Sequence, residues 1–373
     1  MHNNRFSEFD HKYMARAIEL AKRGRFTTTP NPNVGCVLVK NNQIIGEGFH
    51  IQAGGPHAEV HALKMAGDNA KGATAYVTLE PCSHYGRTPP CAEGLIKAGV
   101  SRVVAAMVDP NPEVAGRGLK MLEDAGIETD FGLLNHEAEA LNLGFLKRMR
   151  TNLPYVRCKL AASLDGKTAL ENGESKWITS SESRRAVQDL RAESCAVLSG
   201  ADTVIIDNAK LNVRPDELTD TDAKLSARQP IRVIIDSQNR LTPDLALFQQ
   251  PSKIIIARKT LDKSHNWPHF VEQVVVEQNN GKVDLRALLS LLAERGVNLV
   301  LLEAGATLAG KMFEQQLVDE LVLFMAPKLM GHSSKSLINL PTFTTMSQVP
   351  ELEINTLKQV GQDICLHALV KRN

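Results

Sequence analysis

GGPHAEVHALKMA, residues 54–66, and AYVTLEPCSHYGRTPPCAEGLIKA, residues 75–98, decide how the first part of this chain folds. The first stretch breaks on two glycines and a proline, then runs as a short helix over 58–66. The second opens as a strand over 75–79 and closes as a helix over 92–98. Upstream, Met14, Ala17, Ile18 and Ala21 recur at helical spacing within 8–23, and Pro30-Asn31-Pro32-Asn33 ends that pattern. Strands over 34–39 and 44–49 are joined by a hairpin turn at Lys40-Asn41-Asn42-Gln43. Downstream the spacing predicts a strand over 103–108 and helices over 119–125 and 136–149. Alternation of this kind means a layered α/β domain.

The same two stretches hold a metal-ligand set. His57 and Glu59 open the 58–66 helix, and Cys82 and Cys91 bound a loop with eight residues between them. Two thiolates and one imidazole leave the fourth position of a tetrahedral zinc free for water, which is a catalytic arrangement and not a structural one. Zinc brings the pKa of such a water towards neutrality. Glu59 stands two residues from His57, where its carboxylate reaches the water without ligating the metal and can shuttle a proton to a departing amine. His-x-Glu followed by Pro-Cys is the zinc-deaminase pattern, here with the second cysteine displaced. His61, one turn after His57, reads as a packing or supporting residue, and His84 in the Cys82–Cys91 loop as a substrate contact.

Composition narrows the remaining choices. Lys and Arg number 43 against 42 Asp and Glu, so no general electrostatic grip on nucleic acid exists and no such partner is expected. No run approaches the ~20 apolar residues of a membrane helix, and the first ten residues are polar. Six scattered cysteines do not make a disulfide framework, which points to a reducing, cytoplasmic setting.

At 373 residues two domains are expected, 1–150 and 151–373, divided where the basic helix end Lys147, Arg148, Arg150 meets Thr151-Asn152-Leu153-Pro154. The second part repeats the α/β alternation. Its strands are expected over 156–162, 196–198, 231–236, 253–257, 273–277, 299–302 and 320–325, and its helices over 182–192, 285–295 and 308–315.

Thr29-Pro30-Asn31-Pro32-Asn33-Val34-Gly35, Gly55-Pro56-His57-Ala58-Glu59 and the segment from Glu80 to Cys91 resemble the bifunctional deaminase/reductase family of riboflavin biosynthesis. The long Cys–Cys loop with Gly86-Arg87-Thr88-Pro89-Pro90 is specific to that family and argues against nucleic-acid deaminases. The resemblance continues through Lys159-Leu160-Ala161-Ala162-Ser163-Leu164-Asp165-Gly166, Trp177-Ile178-Thr179 and Glu303-Ala304-Gly305. It implies a cytidine-deaminase-like three-layer domain followed by a dihydrofolate-reductase-like α/β domain. It also implies two successive reactions on a phosphoribosylated aminopyrimidine: hydrolysis of a 2-amino group, then reduction of the ribosyl group to ribityl by NADPH. A homo-oligomer, with a dimer favoured, is the expected assembly.

In the second part, the strand over 299–302 runs into Glu303-Ala304-Gly305 and a helix, a turn whose N–H groups could face phosphate or simply pack tightly. By resemblance Gly305, Ala306, Thr307, Leu308, Ala309, Gly310 and Lys311 line the dinucleotide, with Ala161, Trp177, Thr203, Asp207 and Ser237 as further cofactor contacts. Trp177 suits an aromatic contact, though such a residue is more often core. The substrate phosphate is assigned to Arg191 and Arg214, guanidinium matching phosphate bidentately, with Ser175 and Leu211 beside them and Glu303 as an acid on the substrate. The lesser alternative for Arg191 is a solvated helix face. Lys159 matches a strand lysine that assists reduction, or is a surface charge. One departure stands out: the family carries Asp-Pro where this chain has Asn208-Ala209, which loosens the loop before Leu211 and Arg214.

Overall fold

The computed structural model describes residues 5–85, 89–111, 115–219, 227–279 and 281–371. Gly86, Arg87 and Thr88 of the Cys–Cys loop lie outside the described residues. The chain divides into two compact units, Met1–Asn152 and Leu153–Asn373.

In unit 1, α1 (Glu8–Lys22) leads into β1 (Gly35–Lys40) and β2 (Gln43–Phe49), then α2 (Ala58–Ala66), β3 (Thr74–Val77), α3 (Cys91–Lys97), β4 (Arg102–Ala105), α4 (Arg117–Asp124), β5 (Glu128–Phe131), α5 (Asn135–Ala140) and α6 (Leu143–Thr151). The sheet runs β2-β1-β3-β4-β5, with β1 antiparallel to both neighbours and β3, β4 and β5 parallel. The turn between β1 and β2 puts Asn41 and Asn42 at positive φ, 52° and 58°, which their short polar side chains tolerate. Side chains alternate across β1. Val37 and Val39 join α1, α5 and α6 in one core, and Cys36 and Leu38 join α2, α3 and α4 in the other. The result is three layers, helix, sheet, helix.

The helix expected over 136–149 is two helices. Asn142 breaks it, because its side-chain amide is bonded to the backbone of Asn33: the Asn33 N–H donates to Oδ1 at 2.7 Å and Nδ2 donates to the Asn33 carbonyl at 2.9 Å. Two long-range bonds outweigh one continuous helix. They also fix the Pro30–Asn33 loop.

Unit 2 contains β6 (Tyr155–Ser163), β7 (Lys167–Ala169), α7 (Ser181–Glu193), β8 (Ala196–Gly200), α8 (Ala201–Asp207), β9 (Ile231–Ile235), β10 (Ile254–Arg258), β11 (Val271–Val275), the short β12 (Gln278–Asn279) and β13 (Lys282–Val283), and α9 (Leu285–Glu294). It ends with β14 (Leu299–Leu302), α10 (Ala306–Glu314), β15 (Glu320–Ala326), β16 (Lys335–Ser336), β17 (Leu352–Val360) and β18 (Asp363–Val370). The main sheet has nine strands, β11-β10-β9-β8-β14-β6-β15-β18-β17. It is parallel from β11 to β15, and β18 and β17 are added antiparallel. Helices α9 and α10 cover one face, and α7 and α8 the other.

The Asn142→Ala variant should lose about 1–3 kcal/mol of unit 1 stability, since it orphans the Asn33 N–H and carbonyl. Thermal melting checks this. An unchanged melting temperature would mean that the loop is held by other contacts.

Candidate active sites

The first site is built where strand β3 ends. Beyond Val77 the chain runs through Glu80 and Pro81 to Cys82, while His57 is the residue before α2 and Cys91 is the first residue of α3. The side chains of His57, Cys82 and Cys91 converge so that their ligand atoms all lie within 4.8 Å of one another. Nδ1 of His57 is 3.6 Å from Sγ of Cys82 and 3.3 Å from Sγ of Cys91. A tetrahedral zinc with ordinary Zn–N and Zn–S bonds sets its N and S donors about 3.6 Å apart, so the set fits that ion. Among the described residues no other group of three His, Cys, Asp or Glu side chains is so arranged. His61, half-buried, stands outside the cluster, and His84 is exposed in the Cys–Cys loop.

The electrostatics agree with that fit. Hydrogen bonding from the Cys91 thiol, with help from His57 and the Cys91 N–H, brings the Cys82 thiol down to about 4. Glu59 is 3% exposed, burial raises its pKa, and its Oε2 is buried without a hydrogen-bond partner among the described residues. A buried acceptor left open beside a metal-ligand cluster is what a proton shuttle to a water requires.

Residues beyond the His57, Glu59, Cys82 and Cys91 cluster complete the site, and His50, a competing ligand by its nearness in sequence, stands outside that cluster. His50 is buried and burial lowers its pKa, so it is neutral at pH 7; Nδ1–H donates to the Pro56 carbonyl at 3.0 Å, and Nε2 accepts from the Asn31 amide at 3.2 Å. Asn31, His50 and Asp109 line a cleft together with His57, Glu59 and Cys82. Burial lifts the Asp109 carboxyl to about 6. Glu80, 3% exposed, accepts backbone N–H bonds from Asp109, Gly116, Gly118 and Leu119 at 2.8–3.3 Å. Its carboxylate thereby fills the N-terminus of α4, where N–H groups lack helical partners. Gly118 is obligatory at that contact, since a Cβ there would lie 1.9 Å from the Pro81 carbonyl oxygen.

In unit 2 the expected residues gather around the carboxyl ends of parallel strands, the usual ligand side of an open α/β sheet. Lys159 and Ala161 are on β6, Thr203 and Asp207 on α8 directly after β8, Ser237 just past β9, and Glu303 just past β14. Gly305 is the residue before α10, so Ala306 to Lys311 form its first turns, starting two residues before the expected 308. Gly310 lets α10 approach the Asn339 backbone, which a Cβ would meet at 1.9 Å. The Lys311 ammonium pairs with Glu314 at 2.9 Å. Ser237 Oγ accepts the Val283 N–H at 3.3 Å.

Trp177 is not a core residue. It is 64% exposed, with the Arg184 guanidinium 4.5 Å above its ring, and Ser175 is half-buried nearby in sequence. Arg191 is not on a solvated face either: its Nε and Nη2 bond both Glu303 oxygens, at 2.5 and 2.9 Å, and its Nη1 donates to the Asn212 carbonyl at 2.9 Å. Arg214 is half-exposed and pairs with Glu217 at 3.0 Å, while its backbone N–H donates to Gln188 at 3.0 Å. Leu211 is buried at φ 53°. Where the family has Asp-Pro, Asn208 takes a left-handed φ of 47° and its Oδ1 accepts the Ala246 N–H at 2.9 Å, so a side-chain bond anchors the loop. Burial lowers the pKa of Lys159, which has Glu303 and Arg191 as its charged neighbours.

Comparison with known proteins follows the same division. Residues 7–107 match the cytidine and deoxycytidylate deaminase zinc-binding region, and residues 154–366 match the RibD C-terminal domain. The chain is 54% identical to riboflavin biosynthesis protein RibD of Escherichia coli over 96% of its own length and 98% of that protein's. It is 46% identical to the Bacillus amyloliquefaciens protein of the same name, over 96% of each. Its structure superposes on Acinetobacter baumannii RibD with a TM-score of 0.90 at 46% identity, covering 98% of this chain and 99% of that one. A Thermotoga maritima diaminohydroxyphosphoribosylaminopyrimidine deaminase/5-amino-6-(5-phosphoribosylamino)uracil reductase gives 0.86 at 33% identity, covering 97% and 99%. The first unit is thus cytidine-deaminase-like with a zinc-binding region, the second is the dihydrofolate-reductase-like RibD reductase fold, and the chain belongs to the bifunctional deaminase/reductase family of riboflavin biosynthesis.

Proposed function

We propose that unit 1 (expected as 1–150) hydrolyses the 2-amino group of 2,5-diamino-6-(5-phosphoribosylamino)pyrimidin-4(3H)-one. Unit 2 (expected as 151–373) then reduces the ribosyl group of 5-amino-6-(5-phosphoribosylamino)uracil to ribityl with NADPH. The observation that carries this reading is the His57, Cys82, Cys91 cluster with the open Glu59 carboxylate beside it. Those three side chains would hold zinc, which would supply an acidified water. Glu59 takes the water proton and returns it to the leaving amine, and its burial favours the protonated state that the second step needs. Asn31, fixed by the neutral His50, and Asp109 present hydrogen-bonding groups to the ring.

In unit 2 NADPH supplies hydride. Gly305, Ala306, Thr307, Leu308, Ala309, Gly310 and Lys311 would hold the dinucleotide with Ala161, Trp177, Thr203, Asp207 and Ser237; the exposure of Trp177 leaves its ring open to such a contact. Arg191 and Arg214 would meet the substrate phosphate, with Ser175 and Leu211 beside them, and Glu303 would contact the sugar. Lys159, with its lowered pKa, assists opening of the sugar that exposes the carbonyl to be reduced. The assembly we propose is a dimer through the C-terminal hairpin. β17 is an edge strand, and Ile354 and Leu357 on it are each 62% exposed. Sedimentation of Leu357→Glu should shift the species from two chains to one, and a wild-type monomer would contradict the proposal.

Glu59→Gln should keep one zinc per chain and lose deamination by about 100-fold or more, whereas Cys82→Ser should lose the metal as well. Metal analysis with an ammonia assay checks both. Near-normal ammonia release from zinc-loaded Glu59→Gln would assign the proton to another group.

Arg214→Ala should weaken the reductase about 10- to 150-fold, mainly in KM, because a charge-assisted bond to phosphate acts in ground and transition states alike. A dephosphorylated substrate should feel little of that loss. Equal losses with and without phosphate would make Arg214 a loop anchor.

A further inference from the structure

Arg191 has no free edge to offer in the direction of Glu303. Two of its nitrogens close a bidentate pair with both carboxylate oxygens, and the third donates to the Asn212 carbonyl. Both side chains are nearly enclosed, at 14% and 10% exposure. One turn earlier on α7, Gln188, 1% exposed, accepts the N–H of Arg214. A single helix therefore grips the acid past β14 and the loop that carries the phosphate-binding cation. Asn212 also uses its own side chain locally, donating to the Val213 carbonyl at 3.2 Å, and Gln229 ties Val213 on the other side. The loop is thus fastened along its backbone, with Arg191 as its link to the acid.

We propose that Arg191 is a positioning residue for the reduction, one guanidinium holding the Glu303 carboxylate and the Asn212–Arg214 loop in a single register. This rests on the reductase reading of unit 2 and goes beyond its phosphate contact. The consequence is chemical as well as geometric. Burial is the strongest single influence on Glu303 and alone would drive it towards its neutral form; the charge and hydrogen bonds of Arg191, joined by the cations Lys159 and Arg214 that also face it, together lower the pKa. Arg191 itself faces Glu303 and Glu217. Glu303 stays an anion, so it acts on the sugar as a hydrogen-bond or proton acceptor, and as an anion it also keeps Lys159 from losing its proton entirely to burial.

The test is the pH profile of NADPH oxidation by the full chain with the phosphorylated uracil substrate. In Arg191→Gln the acid limb should move up by about one pH unit or more, because burial then acts on Glu303 with only Lys159 and Arg214 opposing it. kcat should fall more at pH 6 than at pH 8, and KM for NADPH, an index of intact folding, should stay within about twofold. Arg191→Lys, which keeps the charge and loses the fork, should return the limb to its wild-type position without restoring full kcat. If Arg191→Gln does not fold, Glu303→Gln serves instead and should abolish the limb. An unmoved limb in Arg191→Gln, with a loss that disappears on dephosphorylated substrate, would overturn the proposal and leave Arg191 a phosphate ligand alone. A retained limb in Glu303→Gln would overturn it too. Failure of the unaltered chain to oxidise NADPH with this substrate would instead reject the reductase reading itself.

Discussion

A buried carboxylate with backbone N–H groups as its partners, Glu80, holds the first site together. Four such bonds from Asp109, Gly116, Gly118 and Leu119 converge on it, and among the described residues no cation pairs with it. The carboxylate is satisfied as an anion at a helix N-terminus is satisfied, by N–H dipoles at short range. Glu80 lies two residues before Cys82, so this clasp fixes the direction in which the chain leaves β3 and hence where the first thiolate stands. One of the same bonds, from the Asp109 N–H, holds Asp109, which lines the cleft.

The second unit solves a similar problem with the opposite charge. There the central group is a guanidinium, Arg191, and its partners are the Glu303 carboxylate and a backbone carbonyl. Cys82 follows the end of β3 in unit 1, and Glu303 follows the end of β14 in unit 2, where parallel strands stop and loops begin. A rigid sheet with satisfied loops is a more exact platform than loops alone. A buried ion pair of this kind is weak evidence for stability. Its value here lies in the charge state and orientation that it imposes on Glu303.

Much of this was legible in the sequence, for a physical reason in each case. His57, Glu59, Cys82 and Cys91 are short-range features on a helix start and a loop, and their spacing alone implies an open zinc site. The β1 and β2 hairpin announces itself through Asn41-Asn42, two residues that accept positive φ. What escaped the sequence depends on contacts distant along the chain. Asn142 looks like one more residue of an amphipathic helix until its amide meets the Asn33 backbone. Glu80 reads as part of a motif, with nothing to show that four N–H groups await it. The hairpin β17 and β18 lacks a buried face on β17 and so shows no clean alternation. Arg191 and Glu303, 112 residues apart, were each assigned to the substrate separately, and only the fold shows that they are one pair.

The central claim is that two thiolates, one imidazole and a solvent molecule complete a catalytic zinc site next to Glu59. X-ray absorption at the zinc edge of the purified full-length protein, with metal content measured in parallel, tests it most directly. The expected result is one zinc per chain with two sulfur neighbours at about 2.3 Å and two nitrogen or oxygen neighbours at about 2.0–2.1 Å, one of them exchangeable solvent. A four-protein-ligand shell closed to solvent, a third sulfur, or protein that binds no stoichiometric zinc would contradict it.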